Sequence, residues 1–124
     1  MDRFLAQYIE TALWSTNDES DESGGEPFDA NYSASDIAPE SLEKMRADCE
    51  AFKRLASDLI EDFDDTDVAH DFWLTRNGHG AGFWDGDYPE PQATKLTELS
   101  KKFGEVNLEL GDGRIHQNGG HIPE

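Results

Sequence analysis

Seven apolar side chains, Leu42, Met45, Cys49, Phe52, Ala56, Leu59 and Phe63, recur at intervals of three and four residues. That spacing lines them up along one side of an α-helix. It predicts a long helix from Pro39, which suits a first helical position, to about Phe63, with Asp36 as cap or lead-in. A stripe of this length must be buried, either against the rest of the chain or as an a/d seam against a second copy. Three heptads barely sustain a coiled coil, so packing on the chain's own core is the expectation and a dimerisation seam the alternative.

The other elements arrange themselves around that helix. A chain of 124 residues makes one domain and buries roughly two-thirds of its unfolded surface. Phe4, Leu5, Tyr8, Ile9, Ala12 and Leu13 form a helical stripe over about Asp2–Trp14. Residues 15–38 read as an irregular acidic loop, with Phe28, Tyr32 and Ile37 pinning its second half. The run from His70 to Arg76 is aromatic, Asn77-Gly78 is a favoured hairpin turn, and His79–Asp85 returns, which predicts a β-hairpin. Its register would set His70 against Asp85, Leu74 against Ala81 and Trp73 against Gly82. A third helix is expected over about Pro91–Phe103, stopped by Gly104. Val106, Leu108 and Leu110 alternate ahead of an Asp112-Gly113 turn, so a second hairpin closes the domain, with Glu109 opposite His116. A frayed tail covers about 118–124. The expected fold is α+β: two N-terminal helices, a hairpin, a third helix and a C-terminal hairpin, with the helices on one face of an antiparallel sheet. Trp14, Trp73 and Trp84 are each expected to bury a large area.

Charge limits the partners. The formal net charge is −18, from 28 acidic and 10 basic side chains. A chain gripping nucleic acid directly needs a basic face, so that class is disfavoured, as is docking on an anionic membrane. No apolar run reaches the length of a membrane span, and the first residues carry no secretory pattern. Residues 17–67 hold 17 of the acids and four of the bases. Asp58, Glu61, Asp62, Asp64, Asp65 and Asp67 crowd the predicted end of the long helix, where they would oppose its dipole. A local rule broken without compensation marks a candidate site. These six are the candidate partner-binding residues, with Arg76 and His79 at the hairpin tip as an accessory contact. A solvated acidic face kept for solubility and an adaptation to high salt are the bland alternatives.

Chemistry is thinly supported. Of the four histidines, His70 and His79 lie far apart on the predicted hairpin, which makes them poor co-ligands for a metal. A small metal-dependent hydrolase using His70, Asp71 and Asp85 is kept as an alternative to binding. Gly78–Gly82 is glycine-rich but lacks the spacing and lysine of a phosphate loop. Cys49 sits on the apolar seam as a buried, inert thiol. Neither cofactor nor metal is expected.

The stretch His70-Asp71-Phe72-Trp73-Leu74-Thr75-Arg76-Asn77-Gly78-His79-Gly80-Ala81-Gly82-Phe83-Trp84-Asp85 resembles a group of small acidic proteins of bacteriophages and bacterial mobile elements. Ala12-Leu13-Trp14, Asp29-Ala30-Asn31-Tyr32-Ser33 and Asp48-Cys49-Glu50-Ala51-Phe52 extend the likeness over most of the chain. The resemblance implies action inside a bacterial host and carries no activity with it. By analogy with small acidic phage inhibitors, the expected partner is the basic groove of a host nucleic-acid-binding protein or nuclease complex, as in anti-CRISPR or anti-restriction proteins. The chain would act as a monomer or weak dimer. An oligomerising phage structural or accessory protein is a further alternative.

Overall fold

A computed structural model describes residues 2–18, 26–30, 32–78, 82–83 and 88–123. Helix α1 spans Arg3–Ser15 and is capped by Asp2, whose carboxylate accepts the Leu5 N–H at 2.8 Å. Its apolar stripe, Phe4, Leu5, Tyr8, Ile9, Ala12 and Leu13, is buried as the period requires. Trp14 falls off that stripe and is 55% exposed, against expectation. Trp73 is buried, and Trp84 lies outside the described residues.

The long helix is shorter than its seam. Helix α2 runs Pro39–Leu55, breaks at Ala56, and is followed by the single turn α3, Ser57–Ile60. The seam nevertheless stays inward through the break. Met45, Cys49, Phe52 and Ala56 are buried, while Leu42, Leu59 and Phe63 are partly buried against the same core. The chain's own core therefore occupies the face that a dimer would have used.

Helix α4, Asp65–Arg76, stands where the first hairpin was expected. Asn77-Gly78 ends a helix here instead of turning a hairpin. The Asn77 Nδ2 group donates to Trp73 O at 3.0 Å, and Gly78 takes φ 73°, the left-handed conformation suited to the residue after a helix. The reason for the misreading is burial. Val68, Ala69, Phe72, Trp73, Leu74, Thr75 and Arg76 are all buried, so α4 has little polar face from which a 3.6-residue period could be read. Gly82 and Phe83 do come back to this segment, but through a different bond: the Phe83 N–H donates to Thr75 Oγ1 at 3.1 Å. Residues 79–81 and 84–87, which include the rest of the expected return strand, lie outside the described residues.

Helices α1 and α4 lie side by side and run the same way, joined by Arg3 with Asp64, Thr11 with His70, and Ser15 with Trp73. Helix α5, Gln92–Lys102, packs on α4 and carries Lys101 and Lys102 in its last turn, where cations suit the dipole. An aromatic cluster fills the space between: Phe52 stacks on Phe72 at 4.1 Å, and Phe103 meets Phe72 edge-on at 5.1 Å.

Between α1 and α2 the backbone pairs Asn17–Asp18 (β1) with Glu26–Pro27 (β2), then makes two 3₁₀ turns at Phe28–Ala30 and Ala34–Asp36. Phe28 and Ile37 are buried and Tyr32 partly so. Residues 19–25 lie outside the described residues. The C-terminal hairpin forms as read: β3, Val106–Gly111, pairs antiparallel with β4, Arg114–Gly119, and Glu109 faces His116. Asp112 and Gly113 both take positive φ, as a type I′ turn demands. The inward residues Val106, Leu108, Ile115 and Gln117 are buried. Strand β4 is tied to the start of α2, because Ala38 N–H donates to Ile115 O and Gln117 N–H to Ser41 Oγ. The segment read as a frayed tail begins inside β4, and His121 N–H still donates to Phe103 O at 2.8 Å. The fold is thus α+β, with five helices and a two-stranded antiparallel hairpin at the C-terminal end of the described residues. Among them no helix is long and apolar enough to cross a membrane.

Candidate functional site

The six carboxylates singled out by the sequence occupy the corner that joins α3 to α4. Asp58 is in α3, Glu61 and Asp62 follow it, Asp64 is the N-cap of α4, and Asp65 and Asp67 lie in its first turn. All six are exposed. The corner is firmly mounted, since Ile60 and Val68 are buried beneath it and the Phe63 ring packs on Tyr88 at 4.7 Å.

Their electrostatic setting differs from the expectation. The corner begins a helix, so Asp64, Asp65 and Asp67 sit at the positive end of the α4 dipole and are stabilised there. Asp64 accepts both the Thr66 N–H at 2.8 Å and the Thr66 hydroxyl at 2.6 Å, and these bonds hold its carboxyl below the usual range. Arg3 reaches Asp64 at 3.5 Å; both groups are exposed, so this pair adds little. Helix formation therefore explains half of the cluster. Asp58 lies in the single turn of α3, and neither it nor Glu61 nor Asp62 takes part in starting α4. Among the described residues no ion pair reaches them, or Asp65 and Asp67. In α2, Arg46 bridges Glu43 and Glu50.

Arg76 is not at an exposed tip. It is 2% exposed in the last turn of α4. Its Nη1 donates to Asp48 Oδ2 at 2.8 Å and to Tyr8 Oη at 3.0 Å, while Nε and Nη2 donate to the carbonyls of Gly104 and Phe103. The guanidinium also packs against the rings of Phe72 and Phe103. Burial pushes the Tyr8 phenol well up, so it remains a neutral hydroxyl that accepts from Arg76 and donates to Gln117 Oε1 at 3.4 Å. Arg76 is consequently a structural cation and no accessory contact. His79 lies outside the described residues.

The residues of the hydrolase reading are not assembled as a hairpin would assemble them. His70 lies on α4 with Nδ1 3.0 Å from Thr11 Oγ1, and Asp71 accepts the Tyr88 hydroxyl at 2.7 Å. Asp85, the expected partner of His70, lies outside the described residues. Among the described residues no three His, Cys, Asp or Glu side chains gather closely enough to hold a metal ion. Cys49 is buried, and that burial pushes its thiol well up, away from the reactive thiolate.

One feature escaped the sequence reading. Gln7, Glu10, Thr11 and Trp14 stand on successive turns of α1 and, with Asp29 and His70, line an open cavity of about 210 Å³. The His70 ring backs the Trp14 indole, with centroids 6.0 Å apart, and Gln7 Nε2 donates to Thr11 Oγ1 at 3.1 Å. The signal was available: Gln7, Glu10 and Trp14 are spaced at three and four residues, on the face opposite the apolar stripe. Asp48 had a similar signal, as a carboxylate three residues from Met45 and four from Phe52 on the buried side of α2.

No protein-family model matches the chain, and neither a curated protein nor a solved structure does.

Proposed function

We propose that this chain is a small acidic binding protein of phage type that inhibits a host nucleic-acid-binding defence system, of the anti-CRISPR or anti-restriction kind, by seating its α3–α4 corner in a basic groove. The observation that carries this reading is that six carboxylates are exposed within residues 58–67, three of them with no part in starting α4. Duplex DNA presents one charge per about 1.7 Å of axis, and a groove built for it is lined with lysine and arginine. Six exposed carboxylates on a packed corner offer such a groove a competing anion. The ordering cost of that corner has already been met in folding, which favours affinity. Long-range attraction between a −18 chain and a basic partner speeds their encounter, and salt weakens it. The resemblance to phage proteins supports a partner inside a bacterial cell.

The test is capture of a partner from a bacterial lysate over a salt series, with the wild-type chain beside Asp58→Lys/Glu61→Lys/Asp62→Lys. This variant leaves the Asp64 cap and the first turn of α4 intact. The reading expects a nucleic-acid-binding protein that is released steeply as salt rises, that duplex DNA displaces, and that the variant does not retain. A variant that still binds at full strength would overturn the acidic-corner reading.

A further inference from the structure

We infer that the cavity between α1 and α4 at Trp14 is a binding site for one arginine side chain of a protein partner. The inference rests on reading the chain as one that docks on a basic partner. It places a second contact at a site distinct from the α3–α4 corner.

Four observations converge there. First, Trp14 is a large aromatic left 55% exposed; among the described residues the other exposed large apolar side chains, Leu55 and Ile122, are aliphatic and 42% exposed. Indole is the strongest of the side-chain rings at attracting a cation over its face. Secondly, the indole lies against a fixed neighbour: His70, with ring centroids 6.0 Å apart, is bonded by Thr11, which Gln7 bonds in turn. A cavity wall set before binding leaves less to order on it. Thirdly, Glu10 and Asp29 stand at the same cavity, both exposed, and among the described residues neither is in an ion pair. Two carboxylates beside an aromatic face select a cation over an apolar or anionic group. Fourthly, the cavity's 210 Å³ leaves room for a side-chain head group, not for a folded element.

Arginine fits this chemistry better than lysine. Its planar guanidinium stacks on an indole and still directs N–H groups in its plane towards carboxylates, whereas an ammonium is compact and strongly hydrated. Aromatic and arginine side chains also dominate the residues that carry binding energy at protein interfaces. The site continues the acidic flank, because Asp67 and His70 are three residues apart on α4 and share a face.

The experiment is an NMR titration of the full chain with three capped tripeptides, Gly-Arg-Gly, Gly-Lys-Gly and Gly-citrulline-Gly, following the Trp14 indole N–H. The arginine peptide should shift this signal to saturation, binding about tenfold more tightly than its uncharged citrulline counterpart and more tightly than the lysine peptide. Trp14→Leu and, separately, Glu10→Gln/Asp29→Asn should each weaken the arginine peptide about tenfold, while Glu98→Gln/Glu109→Gln, at two exposed acids outside both sites, should leave it within about twofold. The carboxylate variant keeps the test valid if Trp14→Leu does not fold. Equal binding of citrulline, or arginine-induced shifts spread over the acidic side chains without saturation at Trp14, would overturn the inference. The titration reads the cavity alone, so its failure is distinguishable from loss of capture by the corner variant.

Discussion

Asp48 Oδ2 accepts a hydrogen bond from Arg76 Nη1 at 2.8 Å, with the arginine side chain fully buried and the aspartate nearly so. The pair joins α2 to the end of α4, and Arg76 carries the connection onward to the carbonyls of Phe103 and Gly104. Its Nη2 is closely enclosed: a Cβ on Gly120, which takes φ 77°, would stand 2.5 Å from it.

Removing one member of this pair should be costly, because the other charge stays buried without its partner. Asp48→Ala and Arg76→Ala are each expected to destabilise the fold by about 3–5 kcal/mol. Denaturant unfolding checks this. A loss below about 1 kcal/mol for either would mean that the pair is not buried in solution.

Thr75 gives a finer test of the segment after α4. Its hydroxyl accepts the N–H of buried Phe83, and valine has the same shape without that acceptor. Thr75→Val should cost about 1–3 kcal/mol for the orphaned amide, and Thr75→Ser markedly less. Equal losses for the two variants would place Phe83 elsewhere.

The Asp2 cap should make stability depend on acid pH. The Leu5 N–H bond, with Lys53 nearby, holds the Asp2 carboxyl below its usual value. A group depressed in the folded state stabilises fully above its unfolded pKa, about 3.9, and that contribution is lost as pH falls through the folded value. Asp2→Ala is expected to lower stability by about 1 kcal/mol at neutral pH. The gap to wild type should shrink as pH is lowered from about 5 to about 2. A gap independent of pH would refute the cap.

Salt should stabilise this protein. With a net charge of −18, and with Asp58, Glu61 and Asp62 without ion-pair partners among the described residues, self-repulsion opposes the compact state. Raising sodium chloride from about 0.02 to about 0.5 M cuts the screening length severalfold, and Tm should rise by several degrees. The Asp58→Asn/Glu61→Gln/Asp62→Asn variant should begin higher and gain less. A flat or falling Tm would count against an acidic surface under tension.

Sequence by itself determined the elements in which pattern and backbone chemistry agree. The stripe from Phe4 to Leu13 and the alternation Val106–Leu108–Leu110 around Asp112-Gly113 each separate a buried face from a wet one, so the period shows in the residues. The seam from Leu42 to Phe63 correctly names an inward face, yet it cannot reveal the break at Ala56, because a short turn and a continued helix keep the same side inward. Tertiary structure alone decided α4. Phe72, Trp73 and Leu74 are consecutive and all buried, so neither a period of two nor one of 3.6 is written there, and strand propensity with an Asn-Gly pair pointed the wrong way. It decided too that Arg76 is a core cation, that Asp64 starts a helix, and that Trp14 faces solvent beside Glu10, Asp29 and His70. Each depends on which distant segment lies alongside, and hydrophobic patterning specifies a buried face without naming the neighbour that buries it.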